Sequence, residues 1–424
     1  MNSSLCLKPS SLKGRIELPS SKSHTLRALV FATLARGKST IFGYLHSPDT
    51  FSMIEACKVL GADISVFHDR LEVKGNLRGA EDVILAGNSG QVLRFIGAIS
   101  ALTSTYTVIT GDYSIRHNRV VRPLLEGLSQ LGAFAVSSRE DGHAPIIIKG
   151  PLRGGCAYVC GEDSQPISGL LIASAFSSYK TELFVDNPGE IPWVNLTLSW
   201  FDRLGICYTQ NNFEHYVLPG KAAIEGFEYQ VPCDLSALAY PLVASIITNS
   251  AFTITNFSLD PTQGDGELIA FLKQKGANLE FDEARRELHL FKGSYFEGGK
   301  INANRFIDAV PILAVLSCFA KQRVEICGAK IARKKESDRI SCITKELRKM
   351  GALIEEKEEG MIIEPSFLKG AVLESHADHR IALSLAVAAL AAQSSSILQD
   401  FQCVNKSYRQ FFEHLKSLGA QIEE

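Results

Sequence analysis

A glycine recurs six times along this chain, and each time it ends an amphipathic, helix-like pattern and leads into a strand-like segment. The separations lie between 68 and 75 residues. Self-similarity at a fixed period indicates repeated structural units, and glycine is favoured just after the last turn of a helix. The sequence therefore predicts six copies of one unit. These repeat glycines are Gly61, Gly132, Gly205, Gly276, Gly351 and Gly419.

Each repeat also begins a second helix at a polar turn. Ser, Asn and Asp are favoured N-cap residues, so an ordinary helix start explains each turn taken alone. A helix N-terminus carries partial positive charge and unpaired N–H groups, so several of them facing one cleft would bind anions. The six turns are Ser21-Lys22-Ser23, Asn88-Ser89-Gly90, Asp163-Ser164-Gln165, Asp234-Leu235-Ser236, Asp308-Ala309-Val310 and Asp378-His379-Arg380.

The two ends of the chain share one repeat. The sixth repeat stops at Glu424 after a single strand, whereas Leu5 to Gly14 closely resembles Met361 to Gly370 of the fifth repeat. We therefore expect the N-terminal strands to pair with the C-terminal end. This predicts one split domain, residues 1–19 plus 233–424, and one continuous domain, residues 20–232, joined by a hinge near Pro19 and Pro232.

The repeat and the length together predict the fold class. A chain of 424 residues exceeds one ordinary core, which gives two domains of three units each. The run Ile381 to Leu390 is small or apolar on every face, as a helix buried on all sides requires. We expect an α/β (α+β) protein in which each domain is an inside-out barrel of three βαβαββ units, with buried helices and outer sheets. A hinge between such bodies predicts closure over a ligand.

Composition excludes several classes of function. The net charge of -2 indicates neither a nucleic-acid footprint nor a basic membrane-facing surface. The ten cysteines are scattered, which indicates no disulfide framework. The N-terminus lacks an apolar signal core, so we expect a cytosolic protein. The uncharged run Leu235 to Leu259 is interrupted by Pro241, so it predicts a buried helix followed by a strand instead of a membrane span. We expect a monomer.

The densest ionic cluster is Lys334 to Arg339. Apolar residues follow it at helical spacing, so the charges lie at the start of a helix that ends at Gly351. A solvated helix end with weak, exposed ion pairs is the ordinary interpretation of such a cluster.

Four strings in order along the chain carry a resemblance to the 5-enolpyruvylshikimate-3-phosphate (EPSP) synthase family, over essentially all of its length. This family joins phosphoenolpyruvate to shikimate 3-phosphate and requires no metal or cofactor. Each string alone is weak, but four at repeat boundaries are specific. They are Leu18-Pro19-Ser20-Ser21-Lys22-Ser23, Gly87-Asn88-Ser89-Gly90, Lys335-Glu336-Ser337-Asp338-Arg339 and Asp378-His379-Arg380.

The resemblance implies site residues by position. Both substrates carry a phosphate and a carboxylate, which Arg and Lys side chains neutralise. The implied proton-transfer residues are Asp308 and Glu336, with Lys22 assisting. The implied phosphoenolpyruvate contacts are Lys22, Gly90, Arg119, Gln165, Arg339, Arg380 and Lys406. The implied shikimate 3-phosphate contacts are Lys22, Ser23, Arg27, Ser164, Gln165, Asp308 and Lys335.

The chain also departs from the family pattern. Arg119 lies in an altered loop, so Arg116 and Arg122 remain alternatives for its contact with phosphoenolpyruvate. Arg27 and Arg94 each lie one turn into a helix, where a surface charge is the ordinary interpretation. Gly90 retains the small residue that leaves room for phosphoenolpyruvate and its competitor glyphosate, which implies sensitivity to glyphosate. The other departures are Gln91 for a threonine, Asp163 for a serine, Glu190 for a phosphate-binding serine and Trp193 for a tyrosine.

Two alternative functions stay open at this stage. One is the related enolpyruvyl transferase that acts on UDP-N-acetylglucosamine, which uses a loop cysteine, but the stretch from Gly111 to Pro123 contains none. The other is a non-catalytic phosphometabolite-binding scaffold. Retention of Lys22, Asp308 and Glu336 counts against the scaffold.

Overall fold

The computed structural model describes residues 4–423, and the chain divides into two compact units. One comprises Met1–Pro19 together with Cys233–Glu424, and the other comprises Ser20–Pro232. Each unit has its own hydrophobic core. We refer to them below as the split unit and the continuous unit.

Short strands and helices alternate along both units. The strands are β1 (Ser4–Leu7), β2 (Lys13–Ile16), β3 (Lys38–Phe42), β4 (Asp63–Val66), β5 (Arg70–Lys74), β6 (Ile84–Leu85), β7 (Thr107–Thr110), β8 (Phe134–Ser137), β9 (Ile146–Lys149), β10 (Gly155–Cys160), β11 (Thr181–Asp186), β12 (Thr209–Asn211), β13 (His215–Leu218), β14 (Glu228–Gln230), β15 (Ala251–Ile254), β16 (Leu279–Asp282), β17 (Glu287–Leu290), β18 (Gly299–Asn302), β19 (Val324–Cys327), β20 (Leu353–Lys357), β21 (Gly360–Glu364), β22 (Val372–Glu374), β23 (Ser396–Gln399) and β24 (Ile422–Glu423). The helices are α1 (Lys22–Leu34), α2 (Pro48–Val59), α3 (Gly97–Ser100), α4 (Tyr113–His117), α5 (Arg122–Gln130), α6 (Ser164–Phe176), α7 (Ile191–Leu204), α8 (Leu235–Ile247), α9 (Gly266–Gln274), α10 (Val310–Cys318), α11 (Arg339–Lys349), α12 (His379–Leu390) and α13 (Phe411–Ser417).

Six four-stranded sheets share one topology. In every sheet the first two strands run parallel and each later neighbour runs antiparallel, as in β14, β3, β5 and β4. This identity of pattern is what a sixfold repeat requires. In spatial order the sheets are β14-β3-β5-β4, β6-β7-β9-β8, β10-β11-β13-β12, β2-β15-β17-β16, β18-β19-β21-β20 and β22-β23-β1-β24.

The repeat glycines all adopt left-handed backbone conformations, with φ between 66° and 112°. At Gly61, for example, the N–H donates to the Lys58 carbonyl at 2.8 Å, and the next N–H, of Ala62, donates to the Cys57 carbonyl at 3.0 Å. These bonds satisfy carbonyls that the end of a helix leaves unpaired. The chain then turns directly into β4, so the predicted helix-to-strand role of these glycines is confirmed.

Residues from both termini complete the sixth sheet. Strand β1 lies between β23 and β24 and is antiparallel to both, with Leu5 opposite Leu398 and Leu7 opposite Ile422. The predicted pairing of the N-terminal strand with the C-terminal end is confirmed. The first strand of the chain is therefore an interior strand of the split unit.

The helices that follow the polar turns are buried inside their units. Every residue of α12 is buried, and α12 packs against α8 and α10, which are almost wholly apolar. The run from Leu235 forms α8 and then β15, as predicted. Within residues 4–423, none of the helices combines the length and the apolar character that crossing a membrane requires.

Three helix starts differ from the simple N-cap prediction. Ser21 stands at the N-cap position of α1, but its side chain makes no capping hydrogen bond. In the second repeat the helix contains a π-helical turn, Val92–Ile96, before α3. In the fifth, Asp308 lies inside a 3₁₀ segment, Ala303–Ala309, and the residue before α10 is Ala309. The carboxylate of Asp308 therefore does not cap α10. Its partners are arginines, described next.

Candidate active site

Arg339 is the centre of a buried charge network in the split unit. It is the first residue of α11, where Asp338 accepts from the Ser341 N–H at 3.1 Å and caps the helix. The Arg339 side chain is 2% exposed. Its guanidinium donates to Asp308 at 2.7 Å, to Glu336 at 2.7 Å and to Asp378 at 2.9 Å. The interpretation of this cluster as a solvated helix end is therefore wrong for Arg339.

Arg380 approaches Asp308 from a second helix. It follows the start of α12, which Asp378 caps by accepting from the Arg380 N–H at 2.9 Å. Arg380 Nη2 lies 3.3 Å from Asp308 Oδ2, and Nη1 lies 3.5 Å from the Tyr240 hydroxyl. Arg380 Nε is buried and has no hydrogen-bond partner among residues 4–423. Leaving a buried N–H donor without an acceptor costs free energy. An anion that accepts from this N–H would remove that cost.

Two lysines complete the network. Lys406 Nζ lies 2.7 Å from Glu336 Oε1 at the end of a 3₁₀ segment, Phe401–Lys406. Lys335 is buried immediately before Glu336. The structure therefore brings together the six candidate residues of the split unit, which are Asp308, Lys335, Glu336, Arg339, Arg380 and Lys406.

Opposing effects set the charge of Asp308. Burial raises the pKa of its carboxyl, but the positive charges of Arg380, Arg339 and Lys335 outweigh burial and hold the pKa below its usual range. For Arg339, burial alone would lower the pKa. Its carboxylate partners outweigh burial and raise the pKa well above the ordinary value. Asp308 is therefore an ionised carboxylate at neutral pH.

Three residues of this region were not assigned a role from the sequence. Asp378 joins Arg339 to α12, and its place in the string Asp378-His379-Arg380 was the available signal. Tyr240 supports Arg380 from α8, and nothing in the local sequence indicates it. Asp265 is buried and accepts a hydrogen bond from Ser236, and burial, with the charge of Asp308, raises the pKa of Asp265 to about 7.

The continuous unit has its own polar cluster around Gly90. A Cβ atom added at Gly90 would lie 2.7 Å from Arg94 Nη1, 3.1 Å from Gln165 Oε1 and 3.4 Å from Arg119 Cζ. Arg119 is buried, whereas Arg116 and Arg122 are exposed. Of the three arginines considered from the sequence, Arg119 is thus the one beside Gly90 and Gln165.

Arg94 holds this cluster together. Its guanidinium donates to Gln165 at 3.1 Å and to the Val120 carbonyl at 2.6 Å, and it lies 3.0 Å from the Asp163 carboxylate. Asp163, whose other oxygen accepts from the Gln165 N–H, caps α6. The surface-charge interpretation of Arg94 is therefore wrong, because the side chain is buried.

Arg27 is also buried, so the surface interpretation is wrong for it too. It donates to the Thr197 hydroxyl at 2.9 Å and to the Trp193 carbonyl at 3.0 Å, which ties α1 to α7. Burial lowers the pKa of Arg27 to about 9, so the side chain stays protonated at neutral pH. On the same helix, Lys22 Nζ lies 3.5 Å from Asp49 Oδ2, and Ser23 is half-buried one residue further.

Ser164 is occupied by a carboxylate of the same unit. Glu190 Oε2 accepts from both the Ser164 N–H, at 3.0 Å, and the Ser164 hydroxyl, at 2.9 Å. Both residues are buried. Glu190 stands where the family pattern has a serine. Its carboxylate therefore contacts Ser164, a residue that the resemblance implies to bind shikimate 3-phosphate.

The structure offers no preformed metal centre in residues 4–423, where no three His, Cys, Asp or Glu side chains are grouped so as to hold an ion. The pair Asp308 and Glu336 is instead held by arginine and lysine side chains. The chemistry that this arrangement supports is proton transfer beside bound anions.

Comparison with known proteins gives one consistent result. A sequence model of the EPSP synthase (3-phosphoshikimate 1-carboxyvinyltransferase) family matches residues 7–415. The chain is 41% identical over 423 residues to the 3-phosphoshikimate 1-carboxyvinyltransferase of Chlamydia caviae, covering 99% of this chain and 94% of that protein. It is 40% identical over 423 residues to the protein of the same name from Chlamydia pneumoniae.

Solved structures agree with the sequence comparison. EPSP synthase from Acinetobacter baumannii matches with a TM-score of 0.81 at 25% identity, and the match covers 100% of both chains. The predicted fold class and the predicted family are therefore confirmed. This chain belongs to the EPSP synthase (3-phosphoshikimate 1-carboxyvinyltransferase) family.

Proposed function

We propose that this chain transfers the enolpyruvyl group of phosphoenolpyruvate to the 5-hydroxyl of shikimate 3-phosphate and releases phosphate, a step in the biosynthesis of chorismate and the aromatic amino acids. The hydroxyl oxygen adds to C2 of phosphoenolpyruvate while C3 gains a proton. The tetrahedral adduct then loses phosphate as C3, now a methyl group, loses a proton. The C2–O bond to phosphate breaks, and a C2–O bond to the sugar ring replaces it.

The observation that carries the proposal is the buried Arg339 network, which holds the two carboxylates implied in proton transfer, Asp308 and Glu336, in different surroundings. Asp308 takes the proton of the 5-hydroxyl and passes it, through Lys22, to the departing phosphate. Glu336, which is paired with Lys406, begins in its protonated form, gives that proton to C3 and takes one back from C3, so both carboxylates end as they began. Lys22 assists at the hydroxyl and at the departing phosphate. The first step needs a general base at the 5-hydroxyl and a general acid at C3. The second step needs a general base at C3, so the role of the group at C3 reverses between the two steps.

Substrate binding tunes the base. In the free protein Arg380 and Arg339 donate to Asp308 and keep its pKa low. A substrate carboxylate or phosphate that accepts from Arg380, beginning at the unpaired Nε, competes with Asp308 for the positive charge of this guanidinium. The pKa of Asp308 then rises, and the carboxylate becomes a better base when the substrates are present.

The residues of the continuous unit act on the same substrates. Gly90, Arg119 and Gln165 contact phosphoenolpyruvate, and Ser23, Arg27 and Ser164 contact shikimate 3-phosphate. The closeness of Gly90 to Arg119 and Gln165 supports the first group. Domain closure and the monomeric state stay predictions.

A phosphate-release assay tests the function. The purified chain is given each substrate alone and then both together. Phosphate release that requires both shikimate 3-phosphate and phosphoenolpyruvate is the expected result. Absence of release with both substrates, in a protein that circular dichroism shows to be folded, would leave a non-catalytic binding protein.

The same assay separates the other enzyme. Replacing shikimate 3-phosphate with UDP-N-acetylglucosamine gives no phosphate if the proposal holds. The absence of a cysteine between Gly111 and Pro123 predicts this outcome. The family match and the names of the curated relatives favour neither the UDP-N-acetylglucosamine enzyme nor the non-catalytic scaffold.

A further inference from the structure

The carboxylate of Glu190 lies on the N-terminus of α6, and it uses donors that a substrate phosphate would need. One carboxylate oxygen accepts from both the N–H and the hydroxyl of Ser164, at 3.0 and 2.9 Å. The Glu190 residue is only 1% exposed. In the protein without substrate, an internal anion thus takes the two Ser164 donors.

The chemistry of this position suits phosphate as well as carboxylate. The first N–H groups of a 13-residue helix such as α6 carry partial positive charge, and a serine hydroxyl adds a further donor. The neighbouring carboxylate of Asp163 is neutralised by Arg94, 3.0 Å away. Glu190 is therefore the anion in direct contact with Ser164, and a phosphate binding to the same donors would have to displace it.

The backbone fixes Glu190 in this place. Its φ of 49° and ψ of 38° lie in the left-handed region, which is unfavourable for a residue other than glycine. The preceding residue, Gly189, donates to the Gly161 carbonyl at 2.9 Å, and the Glu190 carbonyl accepts from the Trp193 N–H at 2.9 Å. The loop is thus bonded on both sides of Glu190, and its side chain is directed at Ser164.

We propose that Glu190 is a specificity-determining residue that occupies the phosphate-binding donors of Ser164 and must leave them before shikimate 3-phosphate binds. This inference rests on the proposed function, which assigns Ser164 to that substrate. Two anions cannot accept from the same pair of donors, and their charges repel each other. Part of the affinity for shikimate 3-phosphate is therefore spent on displacing the carboxylate, whereas phosphoenolpyruvate binding does not involve these donors.

The test compares the native chain with Glu190→Gln, which keeps the size of the side chain and removes its charge. The Michaelis constants for both substrates and kcat are measured by phosphate release. We expect the KM for shikimate 3-phosphate to fall about tenfold, equivalent to roughly 1.4 kcal/mol. The KM for phosphoenolpyruvate and kcat should stay within about twofold, a split that a general loss of structure would not produce.

Two further variants make the result specific. Asp186→Asn removes the same charge from the exposed end of β11 and should leave the KM for shikimate 3-phosphate unchanged. Glu190→Gly removes the carboxylate and suits the left-handed backbone, so it replaces Glu190→Gln if that variant does not fold. An unchanged or higher KM for shikimate 3-phosphate in both Glu190 variants would overturn the proposal.

The native chain separates this inference from the proposed function. If the native chain turns over and the Glu190 variants show no gain, the function stands and the inference fails. If the native chain does not turn over, the function fails, and calorimetric titration with shikimate 3-phosphate decides the inference. Tighter binding to Glu190→Gln than to the native chain would support it, and equal or weaker binding would contradict it.

Discussion

Arg339 is a buried side chain that pairs with three carboxylates at once. It donates to Asp308, Glu336 and Asp378, all three of which lie in the split unit. Removing one partner of a buried ionic network leaves uncompensated charges in a low-dielectric environment, which is more damaging than losing an exposed ion pair.

We therefore expect Arg339→Ala to lower the free energy of unfolding by about 3–5 kcal/mol. The exposed Arg323, which pairs with Glu364 at 3.5 Å, offers a matched control. Arg323→Ala should change the free energy of unfolding by less than about 1 kcal/mol. Urea unfolding followed by circular dichroism measures both, and equal losses would show that the Arg339 network contributes no more than a surface pair.

Gly90 gives a second prediction for one residue. An alanine there would bring its Cβ to 2.7 Å from Arg94 Nη1 and 3.1 Å from Gln165 Oε1, so these side chains would have to move. Crowding of this kind is unfavourable by about 1–3 kcal/mol. In Gly90→Ala we expect the KM for phosphoenolpyruvate to rise about tenfold, with the KM for shikimate 3-phosphate little changed.

The same residue predicts the response to glyphosate. The native chain should be inhibited competitively with phosphoenolpyruvate, and Gly90→Ala should need more glyphosate for the same inhibition. Steady-state rates at low phosphoenolpyruvate measure this. Unchanged turnover of the native chain in glyphosate would reject the prediction.

Among the helices, α11 is connected to the turn before α12 by a second buried carboxylate, besides Asp378. Glu346 on α11 accepts from His376 Nε2 at 2.9 Å and from the Glu374 N–H at 3.0 Å. His376 and Ala377 both have left-handed φ values, 52° and 54°. Glu346 therefore holds an unfavourable turn that leads directly to the cap of α12.

This connection predicts a pH-dependent stability. The hydrogen bonds that His376 makes with Cys342 and with the Glu346 carboxylate favour the protonated imidazole and raise the pKa of His376 from 6.5 to about 9. Because the folded protein binds this proton more tightly, its contribution to stability is full below pH 6.5 and is lost as pH rises through about 9.

Thermal unfolding across that range tests the connection. Relative to His376→Gln, the native chain should lose about 2–4 °C of melting temperature as pH rises from 6.5 to about 9. His117→Gln, at an exposed histidine, should follow the native chain. A constant difference between the native chain and His376→Gln over the whole range would contradict the assignment.

The elements also show what the sequence could predict. The repeat glycines and the polar turns are local signals, so they predict helix ends such as Gly61 and helix starts such as Asp163 and Asp378. Asp308 does not cap its helix, because two arginines distant in sequence take its carboxylate. A tertiary ion pair of this kind leaves no local pattern.

The same limit applies to the candidate site. Arg339 and Arg380 lie in strings that the family resemblance identified, so their region was predictable. Tyr240 and the contact of Glu190 with Ser164 were not, because they join residues many positions apart. The replacement of a serine by Glu190 is visible in the sequence, but the contact of its carboxylate with Ser164 is a tertiary contact that no local pattern encodes.

The chain as a whole is joined at its ends, since β1 is an interior strand between β23 and β24. Leu7 is fully buried there, opposite Ile422. Leu7→Ala should therefore lower the free energy of unfolding by about 2–5 kcal/mol, as in a core, although it lies near the terminus. Cys6→Ala, at the half-buried neighbouring position, is the control, and an equal small loss in both variants would show that the N-terminal strand contributes little.

Enolpyruvyl transfer is tested most directly by following the oxygen that bridges C2 and phosphorus in phosphoenolpyruvate. The bridging oxygen is labelled with a heavy isotope, and both products formed with shikimate 3-phosphate are analysed by mass spectrometry. We expect the label to leave in inorganic phosphate and the sugar product to carry the enolpyruvyl group. Label retained in pyruvate, or a sugar product that has gained a phosphoryl group, would contradict it.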